Sequence, residues 1–254
     1  MEIRRIALIA LPLCLAANSA PLLALECLTP ATLDTLTRNE TQYMVNRGLP
    51  AFRHALEDGK IRIAMSKTAT PDASDSCAVQ LEVTLPQADV DAANRMLDGN
   101  PGKRIMLTQQ GYVLPESGQL HATFMTDPAT LKVAHQDTLA VSELGKLRAS
   151  VEMIYAMLTQ QGATIANGSA NDKPWSTALR NRQALACSKQ TMATDLQEAA
   201  CSCRNDKLMQ RVAERQMENI EYLHTDPYAF ATGALGSFRQ LDDEVLAACG
   251  LRRK

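Results

Sequence analysis

Polar and apolar positions along the chain switch between two periods. After Thr29-Pro30, an N-cap followed by proline at the first helical position, Leu33, Leu36, Tyr43 and Met44 fall near one helical face. Gly48-Leu49-Pro50 interrupts this helix, and residues 51–58 predict a short second one closed by Gly59. Ile61, Ile63 and Met65 then alternate with mostly polar neighbours, and so do Val79, Leu81, Val83 and Leu85. That is the period of strands with one buried and one wet face. A polar loop over 70–76 joins them. Residues 86–97 predict a helix ending at Gly99-Asn100-Pro101-Gly102. A second hairpin follows: a strand over 105–114, a turn at Pro115-Glu116-Ser117-Gly118 and a strand over 120–125, with Asp127-Pro128 opening another helical region. Hairpin-then-helix thus occurs twice, starting at Arg62-Ile63 and Arg104-Ile105. Two such units predict a four-stranded antiparallel sheet with helices on one face.

The strongest periodic signal comes next. Leu144, Leu147, Val151, Ile154 and Leu158 recur at spacings of three and four, which marks an amphipathic helix. Its stripe is expected to pack on the sheet. A coiled-coil seam between two copies is the alternative, and the stripe is shorter than such a seam needs. Residues 162–174 are small, polar and punctuated by Gly, Asn and Pro, so they read as a linker. Beyond them the texture is helical, with helices expected over 176–186, 191–201, 206–224 and 238–249. The fold class is therefore α+β: residues 25–161 form a sheet packed with helices, and 175–254 form a small helical, Cys-rich domain.

The first 24 residues stand apart. Arg4 and Arg5 precede an uncharged apolar stretch over 6–17, and small residues follow at Ala16, Ala17, Ser19 and Ala20. This is the layout of a secretory signal peptide. A membrane anchor would need about 20 apolar residues, which residues 6–25 approach only if Asn18 and Ser19 are tolerated. Cys14 as a lipid-bearing first residue fits poorly, because bulky Leu13 sits where a small residue is required. The remainder carries no second apolar segment of spanning length, so no stable membrane insertion is expected after signal cleavage. Formal net charge is −2 and aromatic residues make up 4%, with a single Trp. There is no basic field to hold nucleic acid, and Ala, Leu and Met must fill most of the core.

Export gives the cysteines their meaning. Cys27, Cys77, Cys187, Cys201, Cys203 and Cys249 are six in number, and oxidising compartments pair such thiols. Cys27 and Cys77 are the two in the first region and are expected to bond. Cys201 and Cys203 are too close to join each other without strain, so each should reach Cys187 or Cys249, in one of two arrangements. Cys201-Ser202-Cys203 is also the one motif with a redox or metal alternative. It lacks the two-residue spacing of redox and zinc motifs.

Other candidates carry less. His54, His121, His135 and His224 show no metal-ligand spacing. Met153 and Met157 flank core positions. Asp72 and Asp75 lack the ladder of a calcium loop. Tyr222, Tyr228 and Phe230 gather around the Asp226-Pro227 break, where half-buried packing is the default. No nucleophile elbow, P-loop or dinucleotide fingerprint occurs, so neither a catalytic residue nor a cofactor or metal is assigned. The order helix, strands, helix, strands, helix is loosely similar to secretion-chaperone-like folds, a likeness of order that implies no specific role. The expectation is an exported periplasmic or secreted protein that binds another envelope protein as inhibitor, chaperone or scaffold. A hydrolase with an unrecognised site is the alternative, to be marked by a junction cleft holding a His beside a carboxylate or Ser. A redox or metal-handling protein built on Cys201 and Cys203 is the third.

The mature chain is expected to begin between Ala20 and Glu26. N-terminal sequencing of exported protein checks this, and a chain still reading from Met1 would make the segment an anchor.

Overall fold

The computed structural model describes residues 27–68, 76–109, 114–193, 196–225 and 233–254. The N-terminal apolar segment with Cys14, the loop aspartates Asp72 and Asp75, the Asp226-Pro227 break, and Tyr228 and Phe230 lie outside the described residues.

Helix α1, Pro30–Asn46, starts as its sequence dictates, with Thr29 Oγ1 accepting from the backbone of Thr32 at 3.2 Å. Helix α2, Pro50–Glu57, ends before Gly59, whose φ of 67° is the left-handed conformation glycine adopts freely. Strands β1, Arg62–Lys67, and β2, Cys77–Thr84, pair antiparallel with Ile63 opposite Val83 and Met65 opposite Leu81. Helix α3, Gln87–Asp98, follows. Strand β3, Gln119–Thr126, then returns to β2 with Phe124 opposite Val79 and Ala122 opposite Leu81. Among the described residues the sheet has three strands in the order β1-β2-β3. One face, carrying Val79, Leu81, Ala122 and Phe124, is buried beneath helices, while Glu82, His121 and Thr123 on the other face are exposed.

Among the described residues the expected second hairpin does not form, and no fourth strand, ββα repeat or secretion-chaperone-like element order is found there. Residues 101–109, where the strand from Ile105 was to begin, are helix α4 (Pro101–Gln109). Asn100 Oδ1 accepts from the backbone of Lys103 at 3.1 Å, and Pro101 takes the first position. Asn100-Pro101 is thus a helix start of the same kind as Thr29-Pro30, not only a stop for α3. No α4 side chain is buried. The helical region expected at Asp127-Pro128 is also absent. Asp127 Oδ1 instead caps a turn through the backbone N–H groups of Ala129 and Thr130, and Leu131 sits at φ 54°. A short 3₁₀ turn, His135–Thr138, precedes the next helix.

Helix α5, Glu143–Gly162, carries the periodic stripe. Leu144, Leu147, Val151 and Ile154 are all buried, and Leu158 packs against the same core. The helix lies against β3, α2 and α3, and toward its C-terminus against a later helix, α8.

The second half comprises α6 (Thr177–Gln190), β4 (Thr191–Ala193), α7 (Gln197–Met209), α8 (Glu214–Thr225), α9 (Gly236–Ala248) and β5 (Leu251–Arg253). Two helix expectations need correction. Residues 191–193 are a strand paired with β5, because Thr191 Oγ1 donates to the Cys187 carbonyl at 2.7 Å and ends α6 there. The helix expected over 206–224 is broken at 210–213. The cause is tertiary. Helix ends leave carbonyls without intrahelical partners, and the four from Met209 to Val212 are taken by the segment read as a linker and its neighbour Trp175. Asn171 Nδ2 donates to Met209 O (2.7 Å), Asn171 N to Gln210 O (2.8 Å), Ser169 Oγ to Arg211 O (3.0 Å) and Trp175 Nε1 to Val212 O (2.8 Å). Arg211 Nε answers by donating to Ser169 O at 2.7 Å. The segment is a strap fastened to α7, with Ala163 and Ile165 buried.

Buried side chains fall into two large clusters, one between Leu28 and Met157 and one between Ala163 and Val245, with Tyr222 packed against both. A third cluster is built on Cys187, Cys201, Leu246 and Leu251. Three cysteine pairs stand at disulfide separation: Cys27–Cys77, Cys187–Cys201 and Cys203–Cys249, with Cα atoms 5.8, 5.8 and 5.9 Å apart. Of the two arrangements open to the last four cysteines, the structure takes the one that ties α6 to α7 and α7 to the end of α9. In the chain-entropy account the longer loops contribute roughly 4 kcal/mol each and the short one about 3. No described helix is long and apolar enough to cross a membrane.

The α5–α8 crossing depends on Gly162, where a Cβ would overlap Nδ2 of buried Asn219. Gly162→Ala is expected to cost about 1–3 kcal/mol in urea unfolding. A loss below roughly 0.5 kcal/mol would mean that the crossing relaxes.

Candidate functional site

The two halves meet where α2 lies against α8. The C-terminal turn of α2 presents Arg53, His54 and Glu57 in sequence, and Asp58 caps it. From α8, Glu218 reaches between the first two: its Oε2 accepts from Arg53 Nη2 at 2.8 Å and stands 2.5 Å from His54 Nε2. One turn earlier, Arg215 grips Asp58 through two parallel bonds of 2.7 and 2.8 Å, a fork-to-fork geometry available to arginine. Glu214, on the first turn of α8, accepts from the backbone N and the hydroxyl of Ser176, the N-cap of α6.

These groups border a cleft of about 570 Å³ between the halves. Its walls come from α2 through His54 and Glu57, from α8 through Glu214, Arg215 and Glu218, and from the strap through Asn171 and Lys173. Three carboxylates face two cations and one imidazole. His54 is the most buried of these groups. The contact with Glu218 fixes the orientation of the imidazole. Arg215 and Lys60 hold the Asp58 carboxyl well below the usual carboxylate range through hydrogen bonds.

A His oriented by a carboxylate in a junction cleft is half of a hydrolytic constellation. The other half is a hydroxyl or thiol in reach of the imidazole. Among the described residues no Ser, Thr or Cys hydrogen-bonds His54, and Ser176 is turned to Glu214. What the cleft offers is a fixed array of donors and acceptors for recognition.

The remaining sequence candidates are dispersed. His121 is exposed on the wet face of β3, His135 is exposed on the 3₁₀ turn, and His224 lies at the end of α8. Met157 is core, and Met153 packs against it. Cys201 and Cys203 bond different partners, and among the described residues no group of three or more His, Cys, Asp or Glu is placed to hold a metal ion. The groups that sequence reasoning missed are Arg53, Asp58, Arg215 and Glu218. One signal was present: Glu214, Glu218 and Glu221 recur at spacings of four and three, an acidic stripe on one helix face. Nothing in the sequence says that α2 supplies its partners, because His54 and Glu218 are 164 residues apart. Comparison with protein-family models, curated proteins and solved structures found no match to this chain.

The Asp58–Arg215 pair makes the junction acid-sensitive. The folded pKa lies below the unfolded one, so the contribution is complete above the ordinary carboxylate value near ~3.9 and is lost as pH falls through the folded value. Asp58→Asn is expected to lower the melting temperature modestly near neutral pH, and the gap to the unaltered protein should close as thermal unfolding is followed into acid. A gap that does not narrow between about pH 4 and pH 2 would show that the pair is not its source.

Proposed function

We propose that the chain is an exported binding protein of the periplasm or the secreted space, an inhibitor, chaperone or scaffold for another envelope protein, and not a catalyst. The observation that carries this reading is the junction cleft itself. Its charged walls are already held across the junction by Glu218 with Arg53 and His54, by Asp58 with Arg215, and by Glu214 with Ser176. Groups locked in this way are preorganised, so a partner that docks on them does not have to order them first. Three disulfide-distance pairs support an oxidising compartment. Charged walls favour a polar partner surface and fix its register more than they add raw affinity.

One observation favours a second reading. His54 with Glu218 is a positioned base, and a water on Nδ1 would be its nucleophile in an envelope hydrolase.

Affinity capture from an envelope extract, with and without charge reversal at Glu57→Lys and Lys173→Glu, separates the two. A partner retained by the unaltered protein and lost at least about tenfold by the double variant is expected; tenfold in affinity is about 1.4 kcal/mol. Turnover of a generic ester or peptide mixture that disappears in His54→Asn would put the hydrolase in its place.

A further inference from the structure

Beyond α8 from the junction cleft lies a second cavity of about 260 Å³, enclosed by α6, α7, α8, α9 and β5. Helix α8 serves both: Glu214, Arg215 and Glu218 face the cleft, while Met217, Ile220 and Glu221 face this cavity. Met217, Ile220 and Phe238 give it an apolar floor. Against that floor stands an ion pair, Arg204 with Asp242, whose side chains are 7% and 4% exposed.

A buried ion pair is costly, because both ions lose water, and an apolar pair of similar volume is often as stable. Its presence beside an apolar floor therefore invites a reason. The donors supply one. A guanidinium carries five N–H groups. Arg204 donates through Nε to Asp242 Oδ1 at 2.7 Å and through Nη1 to Gln183 at 3.3 Å, and its Nη2 lies 2.7 Å from the same Asp242 oxygen. These contacts engage only part of the five-donor fork. Arg253 gives Nη2 to Asp242 at 2.8 Å and is held from the solvent side by Asp243 through Nε and Nη2. Arg182 completes the wall and pairs with Glu221. Three guanidiniums thus line the cavity against two carboxylates. His224 stands at its rim. Its pKa is lowered by desolvation, opposed by Asp242 and reinforced by Arg239, Arg253 and Arg204.

We propose that this cavity binds a small amphiphilic monocarboxylate, its head on the guanidiniums of Arg204 and Arg253 and its apolar body on Met217, Ile220 and Phe238. The volume sits just below the ~300 Å³ lower end of ordinary ligand pockets, which restricts the guest to a short chain. Hydrogen bonds from an ionised donor to a carboxylate are roughly twice as strong as neutral ones, so the head discriminates against an alcohol of the same shape. The site is independent of the junction cleft and does not need the proposed partner.

Calorimetric titration of the whole chain with hexanoate, 1-hexanol and inorganic sulfate tests it. Saturable hexanoate binding below about 1 mM is expected, with hexanol and sulfate each at least about tenfold weaker. Ala186→Phe fills the cavity from α6 and should abolish binding while Arg204 and Arg253 stay in the sequence. In the unaltered protein, saturation with hexanoate should raise the His224 pKa read by NMR, while hexanol leaves it in place. Equal binding of acid and alcohol, binding that survives Ala186→Phe, or no saturable binding would overturn the proposal.

Discussion

The burial of helix α5 is the constraint on which the other elements depend. Its stripe from Leu144 to Ile154 covers the sheet, and Tyr155, one position on, meets Phe52 of α2 and donates its hydroxyl to Asp89 of α3 at 3.0 Å. At its last residue, Gly162 admits α8 to close approach. A helix buried on several sides cannot shift without disturbing all of its neighbours, because cores are packed as densely as crystals. Sheet, α2, α3 and α8 are thereby set relative to one another by one rod.

Polar chemistry then finishes what burial begins. Glu40 on α1, itself buried, forms a two-pronged pair with Arg148 of α5 at 2.6 and 2.7 Å, and that guanidinium lies 4.1 Å over the Tyr43 ring. On the other side of the rod, the glutamates of α8 reach three places: Ser176, the Arg53–His54 pair, and Arg182 with Gln183. The acidic stripe works as a seam, with Glu214 and Glu221 satisfied at the start and in the middle of α6 and Glu218 by α2. The strap over 163–174 does the same for the end of α7 with neutral donors. Each such bond contributes about 1 kcal/mol net, but a buried carbonyl left without one would cost more. The helical half also has the two C-terminal disulfides, which suits a domain whose own core is small.

This rigidity bears on function. A cleft walled by groups that are already paired holds its donors and acceptors in fixed positions. Both hollows share α8 as a wall, so a guest in the helical half and a partner at the junction would press on adjoining faces of one helix. Coupling between them would require two arrangements of α8.

The α5 stripe, the strand alternation of β1, β2 and β3, the cap at Thr29-Pro30 and the Cys27–Cys77 pair were legible in the sequence, because each rests on local periodicity, a local cap or elimination. Local rules also misled. Ile105, 59% exposed, looked like the start of a strand, yet Asn100-Pro101 had already started a helix. The break at 210–213 has no glycine or proline to announce it. Trp175 and Asn171 cause it by taking carbonyls more than 30 residues away. The choice between the two arrangements of Cys187, Cys201, Cys203 and Cys249, the meeting of His54 with Glu218, and the cavity around Arg204 are likewise tertiary. Sequence alone determined which segments want to be helix or strand and which faces want to be buried, because those preferences act within a few residues. Only the folded chain decided which buried faces meet and which charges find each other, because side chains 164 residues apart acquire a common site only when the core between them has packed.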